Sequence, residues 1–447
     1  MEQDLTTGSV FKRIVYFSLP YLLSYFLQTL YGMADLFITG QFYGVDTITA
    51  VSNGSQIMHM MTVIIVGLAM GTTVTIGHSV GAKCMEQAEK IIGNTITLFM
   101  GIAVAFTVIL VVLVKPIVVL IATPQEAVAG TSIYLLICFI GIPFITAYNI
   151  ISSIFRGLGD SKSPMYFIGI ACVMNIALDY LFMGAFHMGA AGAALGTVCA
   201  QTFSVLVALW VIRRRKTGIS LKKSDFKIER AVIGQVLKIG IPVALQDGFI
   251  QVAFMIITVI ANSRGVSDAA AVGIVEKVIS ALFIVPSSML ATVSALSAQN
   301  FGAGKEKRAT DTLRYATVIT TIYGVIVAVL IQFIAENVVG IFTSDTTVVT
   351  MGSAYIRSYI WDCIFAGIHF SFSGYFAACG KSYIGFLHNI ISITFVRVPG
   401  SYLASKYFTD TLYPMGLAAP AGSLVSVAIC VTAFILLKRK NRVAQTA

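Results

Sequence analysis

A chain of 447 residues with 57% hydrophobic and only 11% charged side chains falls far below the roughly 25% charge of soluble domains, and its mean hydropathy of +0.87 excludes a water-soluble globular fold. The formal charge of +10 does not imply nucleic acid, because the basic residues lie in short loops between apolar runs, where they orient membrane helices. The seven cysteines are scattered, with no CxxC or Cys/His spacing, so neither a zinc site nor structural disulfides are expected.

The apolar runs are long enough to cross a hydrocarbon layer of ~30 Å, and runs such as GIAVAFTVILVVLV do not alternate as the strands of a barrel would. The expected fold is an all-α polytopic membrane protein with twelve transmembrane helices in two pseudo-symmetric six-helix lobes. In chain order the spans are 14–38, 47–76, 91–121, 129–153, 164–184, 190–212, 234–262, 270–298, 312–342, 350–378, 382–404 and 413–437. The first 13 residues are polar, and the run after them lacks a signal-peptide cleavage motif, so it is read as a retained helix.

Lysine and arginine set the orientation. Lys12, Arg13, Lys83, Lys90, Arg156, Lys162, the cluster from Arg213 to Arg230, Lys238, Lys305–Arg314, Lys381 and Lys438–Arg442 all fall on one side, whereas Lys115, Arg264 and Lys406 fall on the other. Lys277, Arg357 and Arg397 lie within helices. Both termini are therefore expected in the cytoplasm, with the chain in the cell inner membrane.

The longest polar break, RRRKTGISLKKSDFKIER (213–230), lies near the middle and reads as a cytoplasmic linker, partly helical on the bilayer surface. The expected division is an N-terminal lobe 1–212, a basic linker 213–233 and a C-terminal lobe 234–447 with a short basic tail. Around the linker the chain nearly repeats at an offset of 221 residues. Gly44, Val45, Ala50 and Val51 match Gly265, Val266, Ala271 and Val272; Gly81 and Ala82 match Gly302 and Ala303; Phe155, Gly159 and Ser161 match Phe376, Gly380 and Ser382. Pro20 and Pro242 correspond one residue out of step. Six spans per half put both halves in one orientation, a transporter architecture.

No catalytic motif is present, and an enzyme is not expected. SGYFAACGKS resembles a phosphate-binding loop, but five residues separate Gly374 from Gly380 where the motif allows four. The buried carboxylates discriminate better. Asp35, Asp179, Asp247, Glu276 and Asp362 fall inside predicted spans, where a charge costs at least ~2.5–3.5 kcal/mol, so each needs a cavity, a partner or a proton. Asp179 lies 15 residues above Pro164 and Asp35 lies 15 above Pro20, roughly 22 Å in each case. Thr197 lies about 10 Å below the outer end of the sixth span. Asn175 shares a helix face with Asp179. Asp35, Asn175, Asp179 and Thr197 thus reach one depth in the first lobe, and their oxygens suit a proton or Na⁺. The competing reading is an interhelical polar cluster that only locks the lobe. Gln251, Glu276, Asp362 and His369 are a secondary polar set. Within it Glu276 is expected to pair with the adjacent Lys277, and Asp362 to share a face with His369, two turns on. Asp247 is assigned to a wet cavity wall, and His59 to helix packing.

Several stretches are similar to those of the multidrug and toxic compound extrusion (MATE) transporters: NIALDYLF followed by MGAAGAALGTVCAQ (188–201), FRGLGDSKSP (155–164), SAQNFGAGKEKRA (297–309) and YGMADLFITG (31–40). The resemblance covers essentially the whole chain. It implies cation-coupled efflux of amphiphilic, often cationic organic compounds by alternating access, with H⁺ or Na⁺ as the coupling ion and no other cofactor. The protein is expected to act as a monomer whose partners are the lipid bilayer and small organic substrates. The resemblance also implies that Asp35, Asn175, Asp179 and Thr197 form the coupling site, with Pro20 a candidate hinge. One departure matters. Where many members carry a glutamate eight residues after the seventh-span proline, this chain has Ile250 and then Gln251, and Asp362 falls about one turn before the aspartate of some relatives. Coupling is therefore expected to run through the first lobe. The alternatives are a flippase for lipid-linked precursors, disfavoured by only twelve spans, and a membrane receptor or scaffold, disfavoured by the lack of a sizeable soluble domain.

Overall fold

In the computed structural model, which describes residues 4–214 and 220–446 with side chains as far as Lys440, every predicted span is helical and no strand occurs among the described residues. Seven spans are single α-helices or run on through one π turn. These are α1 (Val10–Phe42), α2 (Val45–Gly81), α3 (Met85–Leu120), α5 (Lys162–Asp179 with the π turn Tyr180–Ala185), α6 (Gly189–Arg214), α7 (Arg230–Asn262) and α9 (Glu306–Gly340). The others are interrupted. α4 is Gln125–Ile140 plus Ile142–Gly157, bent by 51°; α8 is Val266–Leu282 plus Ile284–Gly302. α10 is Thr346–Tyr359 plus Asp362–Ala378, and α11 is Tyr383–Ser392, the π turn Ile393–Arg397 and Val398–Tyr407. α12 is Tyr413–Gly416 plus Ala418–Thr446. Among the described residues, eight spans, α2, α3, α5–α9 and α12, are long and apolar enough to cross a membrane, and the bent α4 is a ninth.

The chain condenses into two units. Unit 1 holds residues 1–7, 15–244 and 298–304; unit 2 holds 8–14, 245–297 and 305–447. In unit 1, α2 packs along both halves of α4, and α5 packs along α6. Its apolar core joins Ile38, Val51, Leu135, Phe139 and Met183. In unit 2, α9 and α12 flank the second half of α10, around a core that includes Val275, Ala328, Tyr355 and Tyr359.

Residues 215–219 of the expected linker lie outside the described residues. Its ends, 213–214 and 230–233, belong to α6 and α7, and the described stretch between them, 220–229, carries one 3₁₀ turn, Lys223–Phe226, and is bonded to α3. Asn94 Nδ2 donates to the carbonyl of Asp225 at 3.1 Å, the amide of Glu229 donates to Asn94 Oδ1 at 2.6 Å, and Thr97 Oγ1 donates to the carbonyl of Phe226 at 2.9 Å. A single buried amide thus satisfies one backbone group within the turn and one just after it, the accounting that a polar loop needs once it leaves water. Asn94→Ala is expected to cost about 1–2 kcal/mol, because two buried backbone groups lose their partner. Thermal unfolding in detergent measures it, and an unchanged Tm would refute the clamp.

Unit 2 has a corresponding fastening on its loops. Arg264 donates from Nε to Asp268 at 2.7 Å, from Nη1 to the carbonyls of Ser405 and Phe408 at 2.9 Å each, and from Nη2 to that of Thr409 at 2.8 Å. A guanidinium suits this set because its planar fork serves several acceptors at once. Arg264→Ala is expected to destabilise by roughly 2–3 kcal/mol. Arg264→Lys should recover less than half of that, since one ammonium cannot reach all four acceptors.

Candidate ion-coupling site

Asp35 lies on α1 one turn before Thr39, whose hydroxyl bonds the Asp35 carbonyl at 2.6 Å. Thr39 also touches Met183 Sδ at 3.5 Å, which fastens α1 to the π turn of α5. Tyr43 extends this seam: its hydroxyl donates to the Met183 carbonyl at 3.0 Å and accepts from the Gly189 amide at 2.9 Å. The C-terminal ends of α1 and α5 and the N-terminal end of α6 are therefore tied together by local polar contacts. Asp179 is the last α-helical residue of α5 before the π turn, an irregularity that often marks functional positions.

Within this frame Thr197 Oγ1 of α6 donates to Asp35 Oδ2 at 3.3 Å. Asp179 and Asn175 are the other polar neighbours of Asp35. Asp35 and Asn175 are each only 2% exposed, and Asp179 is fully buried. Yet Asp35 Oδ1, both Asp179 carboxylate oxygens and both amide atoms of Asn175 have no hydrogen-bond partner. Such orphaned polar atoms are rare in folded proteins because each costs about 1–3 kcal/mol, and more when charged. Two carboxyls that face each other in apolar surroundings cannot both stay ionised without a proton or cation between them. The four residues that sequence reasoning grouped by depth are neighbours in space.

Sequence reasoning missed Gly196. A Cβ at this α6 position would collide with Asp179 Oδ1. The missing side chain is what lets the carboxylate lie against the α6 backbone. Its only sequence signal is its place in the small-residue run GAAGAALG.

The secondary set fares differently. Lys277 is exposed, and Glu276 accepts from Thr258 at 3.3 Å instead, so the expected pairing of neighbouring residues does not form. Successive helical residues point about 100° apart, which takes the lysine to the surface while Glu276 turns inward. Nor do Asp362 and His369 form a pair. The His369 ring packs at 5.3 Å against His388, whose Nε2 lies 2.9 Å from Ser373 Oγ. Asp362 and His369 both lie in the unbroken helix Asp362–Ala378, seven residues apart as expected, but no bond joins their side chains, and Asp362 is drawn instead towards Arg397. Gln251 has no bond to either carboxylate among the described residues. His388 and Arg397 were the polar residues of unit 2 that sequence reasoning left without a role.

The MatE family model matches residues 20–181 and again 242–403, one match in each half of the chain. The chain belongs to the MATE family. MATE proteins are multi-pass membrane transporters, and curated relatives run the length of the chain. The probable multidrug resistance protein YpnP of Bacillus subtilis is 30% identical over 415 residues, 93% of either chain. The multidrug export protein MepA of Staphylococcus aureus is 24% identical and covers 83% of this chain and 82% of its own. The probable multidrug resistance protein NorM of Thermotoga maritima is 24% identical and covers 89% of this chain and 86% of its own. The fold agrees. A solved outward-facing multidrug resistance MATE transporter superposes with a TM-score of 0.91 at 20% identity, covering 99% of this chain and 98% of its own.

Proposed function

We propose that this MATE transporter exports amphiphilic, often cationic organic compounds in exchange for H⁺ or Na⁺, with Asp35, Asn175, Asp179 and Thr197 as the ion-coupling site. The observation that carries the reading is the set of orphaned oxygens on two facing buried carboxylates. One proton or one hard monovalent cation satisfies them together, since carboxylate, amide and hydroxyl oxygens are the donors that such an ion prefers. Loading and unloading at this point changes the charge that α1, α5 and α6 must accommodate. An ion shifts a conformational equilibrium only through its different affinity for the two states, and a site that is unsatisfied when empty supplies that difference. Pro20, inside α1, removes one helical hydrogen bond and is the candidate hinge. The protein works as a monomer in the cytoplasmic membrane with both termini inside, the side to which the basic loops are assigned.

Proteoliposomes test the reading. Efflux of a fluorescent organic cation should rise with an imposed pH gradient or Na⁺ gradient, and repetition in Na⁺-free buffer identifies the ion. Dye movement that ignores both gradients would favour a lipid flippase or an uncoupled pathway and defeat the assignment.

A further inference from the structure

Unit 2 concentrates charge at a place to which the coupling mechanism gives no role. Arg397 closes the π turn of α11 and is only 9% exposed. Its Nη2 donates to the hydroxyl of Tyr359 on α10, and its guanidinium lies 4.9 Å from the ring centre of Phe254 on α7 and 5.6 Å from that of Tyr359. The carboxylates that act on it are Asp362 of α10 and Glu276 of α8. Thr258 of α7 donates to Glu276, and Ser423 of α12 is a polar neighbour of Asp362. Neither carboxylate makes a direct ion pair with Arg397, and Asp362 Oδ1, Glu276 Oε1 and Arg397 Nε are buried without a hydrogen-bond partner. The attraction therefore acts through space, across a low-dielectric interior where it stays strong.

By the internal repeat, the helices α11 and α12 that hold Arg397 and Ser423 correspond to α5 and α6, although at the offset of 221 Arg397 falls opposite Ile176 and Asp179 opposite Gly400. α11 corresponds to α5, and each has a π turn beside its charged residue. α12 corresponds to α6, and each has a closely packed glycine: a Cβ at Gly196 would strike Asp179, and one at Gly422 would meet Ser392 Oγ at 2.8 Å and Arg397 Cβ at 3.3 Å. Beside its π turn, unit 1 carries a carboxylate and unit 2 a cation. Two carboxylates, a threonine and an aromatic pair are a donor set for a small organic cation, because carboxylates supply charge and ring faces supply cation–π attraction. In this chain that cation is covalently attached.

We propose that Glu276, Asp362, Phe254 and Tyr359 form a monovalent-cation site in unit 2 that the side chain of Arg397 occupies as a tethered ligand, and that the site takes up a free guanidinium ion once that side chain is removed. Only one corollary rests on the coupling reading above: coupling ions in the natural protein are then taken by the Asp35–Asp179 set alone.

The test is chemical rescue of purified Arg397→Ala. Removing one partner of a buried charge cluster should cut dye efflux at least tenfold. Millimolar guanidinium chloride should restore efflux to within about twofold of the natural protein and raise the Tm of the variant by several degrees, as a bound ligand does. N-methyl-D-glucamine chloride at equal ionic strength should do neither. Arg397→Lys should keep most of its activity without rescue. The triple variant R397A/E276Q/D362N removes all three charges together. It should be recovered in better yield than Arg397→Ala and show no response to guanidinium. The idea is overturned if guanidinium leaves the Tm of Arg397→Ala unchanged, or if it stabilises the natural protein or the triple variant equally. Should Arg397→Ala prove too unstable to purify, recovery of the triple variant supports the proposal, and failure of the triple variant as well overturns it. The Tm readout needs no transport, so a failure of the coupling reading leaves it intact.

Discussion

Asp179→Asn abolishes gradient-driven efflux while leaving a folded protein: the dye-efflux rate under an imposed gradient should fall by about 10²-fold, the loss expected when a ligand no longer distinguishes two states. The carboxamide matches the carboxylate in shape, so packing against Gly196 survives. It cannot take up a proton, and it offers a hard cation one oxygen without charge. Asp179→Asn therefore resembles a permanently loaded site, and the cycle stops at the step that needs unloading. Asp35→Asn should behave alike, although its contact with Thr197 leaves it one satisfied oxygen. The double variant should be no worse than either single one, since groups that act as a unit are grossly non-additive. The competing reading, a polar lock, predicts the reverse pattern: lower Tm and preserved coupling. Measuring Tm beside efflux separates them. Full gradient-driven transport by both single variants would remove these carboxylates from the mechanism.

How much of this was legible beforehand follows from physical range. Helix number and order were readable because a bilayer demands ~20 apolar residues per crossing and the chain repeats that demand twelve times. The depth of Asp35, Asn175, Asp179 and Thr197 was readable because the rise per residue is fixed, and equal depth in one lobe brought them together. Unit 2 defeated the same approach for two reasons. Glu276 and Lys277 are adjacent in sequence, which favours a pairing on paper, but adjacent helical residues diverge and the lysine goes to the surface. Asp362 and His369 do share one unbroken helix, but His369 packs against His388 of α11 and Asp362 faces Arg397, contacts between helices that spacing within one cannot show. Arg397 stood out as a basic residue in an apolar run, yet nothing local says that carboxylates from α8 and α10 and a ring from α7 meet there. Breaks and π turns arise from packing between distant segments, and periodicity within one segment does not carry them.

Gly196→Ala tests the same site from the backbone side and should be nearly as damaging as loss of the carboxylate. The added methyl would overlap Asp179 Oδ1, and the obstacle cannot simply swing clear. Asp179 is fully buried, and the α6 backbone lies directly behind the substituted position. Either α5 and α6 separate, or the carboxyl turns away from Asp35. Overpacking of this kind typically costs 1–3 kcal/mol, so the variant should fold with a lowered Tm, and gradient-driven efflux should drop at least tenfold because the ion's donors no longer converge. Gly169→Ala on α5 is the matched control: a Cβ there meets only Leu27 Cδ1 at 3.8 Å, an ordinary contact. It should transport normally and gain a few tenths of a kcal/mol from the better helix former. The two substitutions add the same methyl group to neighbouring helices, one against Asp179 and one towards Leu27 of α1, so a difference between them reports geometry at Asp179. Equal efflux from both would show that close approach of α6 to the carboxylate is incidental, and with it would fall the idea that Gly196 shapes the site.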